Sequence, residues 1–163
     1  MMLDTILDEL DGSFAGVPPV IAAIRLSMAM ILGGIIGWER ESRSKPAGLR
    51  THMLVSIAAC LFILVGIQLS AIEFGDRETM RIDPLRLIEA TTAGVAFLAA
   101  GLIFTSGGKV KNVTTGASLW LCGAIGLACG AGQMPLAAMA TALVFTVVAV
   151  LGAVERRRTS DDE

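Results

Sequence analysis

The sequence predicts an all-α integral membrane bundle of about five transmembrane helices. Hydrophobic residues make up 54% of its 163 positions, above the roughly 45–50% of soluble domains, and its mean hydropathy is +0.71. These residues gather into runs close to the roughly 20 that a helix needs to cross hydrocarbon. Too few polar residues remain to coat five such helices in water.

The runs are Val20 to Trp38, interrupted by Arg25; Met53 to Ile72; Leu87 to Phe104, with Glu89 near its start; Thr115 to Ala131; and Met134 to Val154, which has no polar face. The organisation expected is an N-terminal amphipathic or disordered segment over 1–19, a membrane domain over 20–154 and a charged cytoplasmic tail over 155–163. In the first segment Leu3, Ile6, Leu7 and Leu10 share a helical face with acids opposite. The opening MMLDTILDELDGSF is acidic where a signal peptide is basic, so the expectation is that the whole length is kept.

Local signals set the boundaries. Asp83 suits a helix cap, with Pro84 at the first position, where an amide hydrogen would go unused. Thr114 or Thr115 is the expected cap of the fourth helix, and Pro135 suits the first turn of the fifth. SGGK, residues 106–109, reads as a tight turn. Small residues recur four apart at Gly33 and Gly37, Ala90 and Gly94, Ala96 and Ala100, and Gly126 and Gly130. Such spacing lets membrane helices approach closely, and Gly101 joins these as a packing candidate. Trp38 and Trp120 suit the headgroup layer. Gln133 and Thr141 could hydrogen-bond between helices.

Basic residues orient the chain. Arg40, Arg43, Lys45, Arg50, Lys109, Lys111 and Arg156 to Arg158 fall on one side of a five-span arrangement; Arg77, Arg81 and Arg86 fall on the other, with Arg25 near its boundary. Lysine and arginine accumulate on the cytoplasmic side, so the N-terminus is expected outside and the C-terminus inside.

Composition also excludes. The net charge of -2 has no basic patch for nucleic acid. Cys60, Cys122 and Cys129 lie in apolar runs without CxxC spacing, and the one histidine, His52, stands alone, so neither a metal centre nor a cofactor is expected. SGGK lacks the first glycine and the final Ser or Thr of a phosphate loop. One histidine, no tyrosine and no Ser-His-Asp or Cys-His set argue against an enzyme.

The stretch RLSMAMILGGIIGWERESRSKPAGLRTHMLVSIAACLFIL resembles the N-terminal membrane segment of the MgtC/SapB family. The likeness rests on Gly37, Glu39 and Arg40 closing an apolar helix, then Ala47, Gly48, Leu49, Arg50 and Thr51 opening the next. DPLRLIEATTAGVAFLAAGLIF and NVTTGASLWLCGAIGLACGAGQ resemble later segments in the same order, together covering roughly residues 25 to 154. Ala96 and Ala99 replace usual glycines, Val113 a usual leucine and Gly116 a usual alanine. Several members add a cytoplasmic ACT-like domain; the sequence stops nine residues after Val154, so functions housed in that domain are not expected here. The resemblance implies a small, virulence-associated regulator in the bacterial inner membrane, linked to growth at low magnesium. It offers the F-type ATP synthase as a candidate partner.

Two charged groups stand out. Glu39 is expected to pair with Arg50 or Arg40 at the membrane boundary, because an unpaired charge there is costly. Asp83, Arg86 and Glu89 are expected as a cap plus a surface pair. The alternative is an outward cation site with Glu73, since Mg²⁺ needs only one or two carboxylates. A transport route lacks stepping stones: between Glu89 and Phe104 the third helix offers only Thr91 and Thr92. The reading is a regulator that docks on another membrane complex within the bilayer, with a second copy of the chain as a further candidate partner. The alternative is a divalent-cation carrier or channel.

Overall fold

The computed structural model describes residues 16–71 and 83–151, with Met2 and Phe14. Helix α1 spans Pro19–Ser42, α2 Leu49–Ala71 and α3 Pro84–Leu102. Strands β1 (Phe104–Ser106) and β2 (Lys109–Lys111) form an antiparallel hairpin. Helix α4 spans Val113–Gly130, and α5 (Met134–Thr146) continues into a π-helical turn, Val147–Leu151. Helices α1 to α4 are long and apolar enough to cross a membrane; the fifth apolar helix is shorter. At 1.5 Å per residue, the 24 residues of α1 reach about 36 Å, more than the hydrocarbon thickness.

The helices begin and end where chemistry allows. The Asp83 carboxylate accepts from the Leu85 amide at 2.9 Å, and Pro84 follows it. Past α1, Ser44 turns the chain at φ 52°, and the short loop holds α2 against α1. Residues 49–52 thus open α2 a full turn before the expected Met53. Gly107 and Gly108 adopt φ of 60° and 74° at the hairpin tip.

The expected threonine cap is corrected. Thr114 and Thr115 lie inside the first turn of α4, and Asn112 precedes it at φ 65° without a side-chain cap. Asparagine tolerates that left-handed conformation, and its amide nitrogen instead donates to the Leu102 carbonyl, clasping α3 to α4.

Helix α4 is the axis of the bundle. Its Gly126 and Gly130 lie on α2: a Cβ at Gly126 would collide with the Ser56 carbonyl, and one at Gly130 would lie 2.6 Å from the Cys60 carbonyl. Its Gly116 and Gly123 face Ile103 and Val95 beside and within α3. Ala29, Ile36, Cys60, Cys122, Ile125 and Cys129 form the main core. Helix α3 is attached along one stripe only, Thr91, Val95 and Ala99, and Phe97 is 80% exposed. In a bilayer such apolar exposure faces lipid.

The ends of the bundle are pinned differently. Near the start of α1, Arg25 donates to the Gly130 carbonyl at 2.7 Å, where α4 ends. The Gln68 side chain accepts from the Gly16 amide and donates to the Val17 carbonyl. The opposite end gathers the loop after α1, the hairpin and the π-helical turn.

Candidate functional site

At that second end the last turn of α1 buries charge. Glu39 is 6% exposed and Arg40 3%. Arg40 Nε donates to Glu39 Oε2 at 2.8 Å, and Arg43, one turn on, pairs with Glu39 Oε1. Arg43 also donates to the Ala149 carbonyl at 2.8 Å. A π-helical turn shifts the backbone register, and here a turn carbonyl meets a cation from α1. One carboxylate and two guanidinium groups therefore tie α1 to the end of the bundle.

The loop residues complete a latch. The Glu41 carboxylate accepts from the Leu49 amide at 2.7 Å, filling a bond that the start of α2 cannot make internally. A Cβ at Gly48 would lie 2.7 Å from that carboxylate and 3.0 Å from the Glu41 Cβ. Glycine at 48 is what lets Glu41 close over the helix start. Gly37 meets the backbone of the same turn: a Cβ there would lie 2.8 Å from the Leu49 Cα.

One turn deeper, His52 is fully buried. Its Nδ1 lies 2.8 Å from the Gly48 carbonyl, which can only accept, so the proton is assigned to Nδ1. Nε2 lies 3.1 Å from Ser118 Oγ on α4, which in turn lies 2.9 Å from the Thr115 carbonyl. With the proton on Nδ1, Nε2 can only accept, so the single Ser118 hydroxyl proton serves either Nε2 or the Thr115 carbonyl. Ser118 is 2% exposed, so the pair seals the junction of α2 and α4 and meets no solvent. Ser56, one turn beyond His52 and fully buried, stands where a Cβ at Gly33 would lie 2.8 Å from its own Cβ.

The structure divides the residues singled out in the sequence. Glu39, Arg40 and Gly48 come together, with Thr115 supplying a carbonyl to the same network. The Arg50 alternative for the Glu39 pair is corrected: Arg50 and Thr51 are exposed, because the first turn of α2 aims them away from α1. Asp83, Arg86 and Glu89 lie at the other end, all exposed. Asp83 caps α3, and no ion pair joins Arg86 to Glu89 among the described residues. Glu73 lies outside the described residues, as do Arg77, Arg81, Arg156 to Arg158 and most of the N-terminal segment. Thr114 and Trp120 are exposed on α4, and Trp38 is 67% exposed. The packing expectation for Gly94 and Gly101 is corrected too: a Cβ at either would meet nothing within 4 Å, because α3 docks through the Thr91 stripe instead. Thr141 bonds its own helix, to the Ala137 carbonyl.

Sequence reasoning passed over His52, Ser56, Ser118, Glu41 and the reach of Arg43. A signal existed for the first two: His52 and Ser56 are polar, four apart and therefore on one face of an apolar helix. Among the described residues no three His, Cys, Asp or Glu side chains group to hold a metal ion.

Four apolar helices of spanning length and a charged latch at one end define a multi-pass helical membrane protein. The MgtC family model matches residues 26–157, and the chain belongs to that family. It is 39% identical over 134 residues to Protein MgtC of Brucella abortus (strain 2308), covering 82% of this chain and 52% of that one. It is 35% identical over 130 residues to the putative magnesium transporter YhiD of Escherichia coli K12, covering 78% and 59%. It is 33% identical over 133 residues to an uncharacterized protein of Haemophilus influenzae, covering 81% and 56%. The chain thus spans little more than half the length of these relatives. No solved structure matches it.

Proposed function

We propose that this chain is a small regulatory protein of the bacterial cytoplasmic membrane, linked to magnesium or wider ion homeostasis, that docks on another membrane complex. The observation that carries this reading is the state of Glu39. Its two oxygens face Arg40 and Arg43, a fixed structural pairing rather than a carboxylate held open for a passing cation. Family membership and the magnesium-related name of the Escherichia coli relative support the link to ions. The apolar face of α3, with Phe97 and Leu98 exposed, supports contact within the bilayer. The family resemblance offers the F-type ATP synthase as the partner to test first.

Residues 20–154 form the membrane domain in this reading, flanked by an N-terminal segment and a charged tail. The end bearing Arg40, Arg43, Lys45, Arg50, Lys109 and Lys111 faces the cytoplasm, in keeping with the positive-inside tendency.

A divalent-cation carrier or channel is the second reading. It is favoured by the name of the Escherichia coli relative and by the buried polar line of Glu39, His52, Ser118 and Ser56. Reconstitution in sealed liposomes separates the two. Regulation predicts no Mg²⁺ flux above empty vesicles and co-purification of a membrane complex. Saturable flux lost in Glu39→Gln would overturn regulation in favour of transport.

A further inference from the structure

The hairpin between α3 and α4 has no role in the latch, yet its composition and position are specific. Every residue from Phe104 to Lys111 is exposed. The sheet has two strands only, and an isolated two-stranded hairpin is marginal in water. Pairing of Phe104 with Lys111 and of Ser106 with Lys109 puts these four side chains on one face, with Thr105 and Val110 on the other. Residues 103–112 contain two lysines and no acid.

Short connections keep this face close to the ends of two membrane helices. Only Ile103 separates the end of α3 from β1, and only Asn112 separates β2 from α4. The bond from Asn112 to the Leu102 carbonyl clasps the two stems at 3.1 Å. A three-residue strand extends about 10 Å, comparable to the headgroup layer on one side of a bilayer, roughly 5–8 Å. The hairpin therefore starts at the membrane boundary and is long enough either to lie in the headgroup layer or to project past it. Phe104, 51% exposed beside the membrane helix, suits the acyl boundary, and lysine stems can lie along apolar surface while the ammonium groups reach phosphate. The tip is Gly107 and Gly108, which offer no side chains for a protein to read.

We propose that the face formed by Phe104, Ser106, Lys109 and Lys111 is a docking surface for anionic phospholipid headgroups. This rests on the membrane-spanning fold and not on the regulatory reading, so either can fail without the other. The two lysines would bias the hairpin toward the docked position by roughly 30-fold on an anionic surface relative to a zwitterionic one.

The test uses the full chain with a spin label on Ser106→Cys. Cys60, Cys122 and Cys129 are buried and take no label. The protein is placed in nanodiscs of phosphatidylcholine alone or with phosphatidylglycerol, and exposure of the label to a water-soluble relaxation agent is measured. The expected result is several-fold protection in the anionic discs, lost at about 1 M salt, where screening is short-ranged. Lys109→Gln/Lys111→Gln removes that protection and Lys109→Arg/Lys111→Arg keeps it, which separates loss of charge from a folding defect. Equal exposure of the label in both lipids overturns the proposal. Protection seen only in native membranes, with both nanodiscs alike, also overturns it and assigns the cover to a protein.

Discussion

Glu39 is held by two arginines, and its neighbours differ sharply in what they contribute. Arg40 and Arg43 meet the carboxylate, whereas Arg50, close in sequence, is exposed. Removing one member of a buried ion pair costs about 3–5 kcal/mol, because the remaining charge is stranded. Glu39→Gln is therefore expected to lower the unfolding free energy in detergent by about that amount. In double-mutant cycles Glu39→Gln should couple to Arg43→Gln and add to Arg50→Gln within about 0.5 kcal/mol. Coupling to Arg50 instead would remove the latch as drawn. His52 and Ser118 form a neutral pair, for which a hydrogen bond is worth about 0.5–1.5 kcal/mol. Ser118→Ala is expected to cost about this much, and a loss beyond about 3 kcal/mol would mean a larger role for the pair. Of these pairs only Glu39 and Arg40 adjoin in sequence. The pattern Gly-x-Glu-Arg marked the right carboxylate, but helix rotation, invisible in a linear string, chose among the arginines.

Among the elements, α4 and α3 use glycine in opposite ways. Gly126 lies on the backbone of α2, so Gly126→Ala must push two helices apart. Overpacking of this kind costs about 1–3 kcal/mol. Gly94 meets nothing within 4 Å, and Gly94→Ala is expected to be neutral or stabilising by up to about 1 kcal/mol, since alanine favours the helix. Thermal unfolding of the two variants in one detergent checks the contrast; equal losses would mean that α3 is covered in solution. The π-helical turn after α5 depends on Arg43 in the same local way. In Arg43→Ala, amide exchange at Val147–Leu151 should accelerate while α4 stays protected. Gly126–Gly130 and Ala90–Gly94 looked alike in sequence, because spacing shows which residues share a face but not what that face meets.

At the scale of the molecule, the basic residues of the described chain collect at one end: Arg40, Arg43, Lys45, Arg50, Lys109 and Lys111. Arg25 and Arg86 lie toward the other. If that basic end is cytoplasmic, a cysteine at Ser44 will resist a membrane-impermeant reagent in intact cells and react after permeabilisation. Reaction in intact cells would invert the orientation. The sidedness of the bundle was legible early, since helices that alternate in direction sort their loops by parity alone.

The sequence by itself determined the solvent of this protein and the approximate place of each membrane helix. Both follow from run length and local capping, which need no knowledge of neighbours: Asp83 and Pro84 start α3 whatever surrounds them. Only the tertiary structure decided which polar residues meet. His52 reads as solitary until α4 brings Ser118 within 3.1 Å, and Arg43 reads as a loop charge until the last helix offers it the Ala149 carbonyl. Such contacts depend on how helices rotate and cross, and these are fixed by close packing around Gly33, Gly37, Gly126 and Gly130, a property of pairs of helices rather than of any one segment.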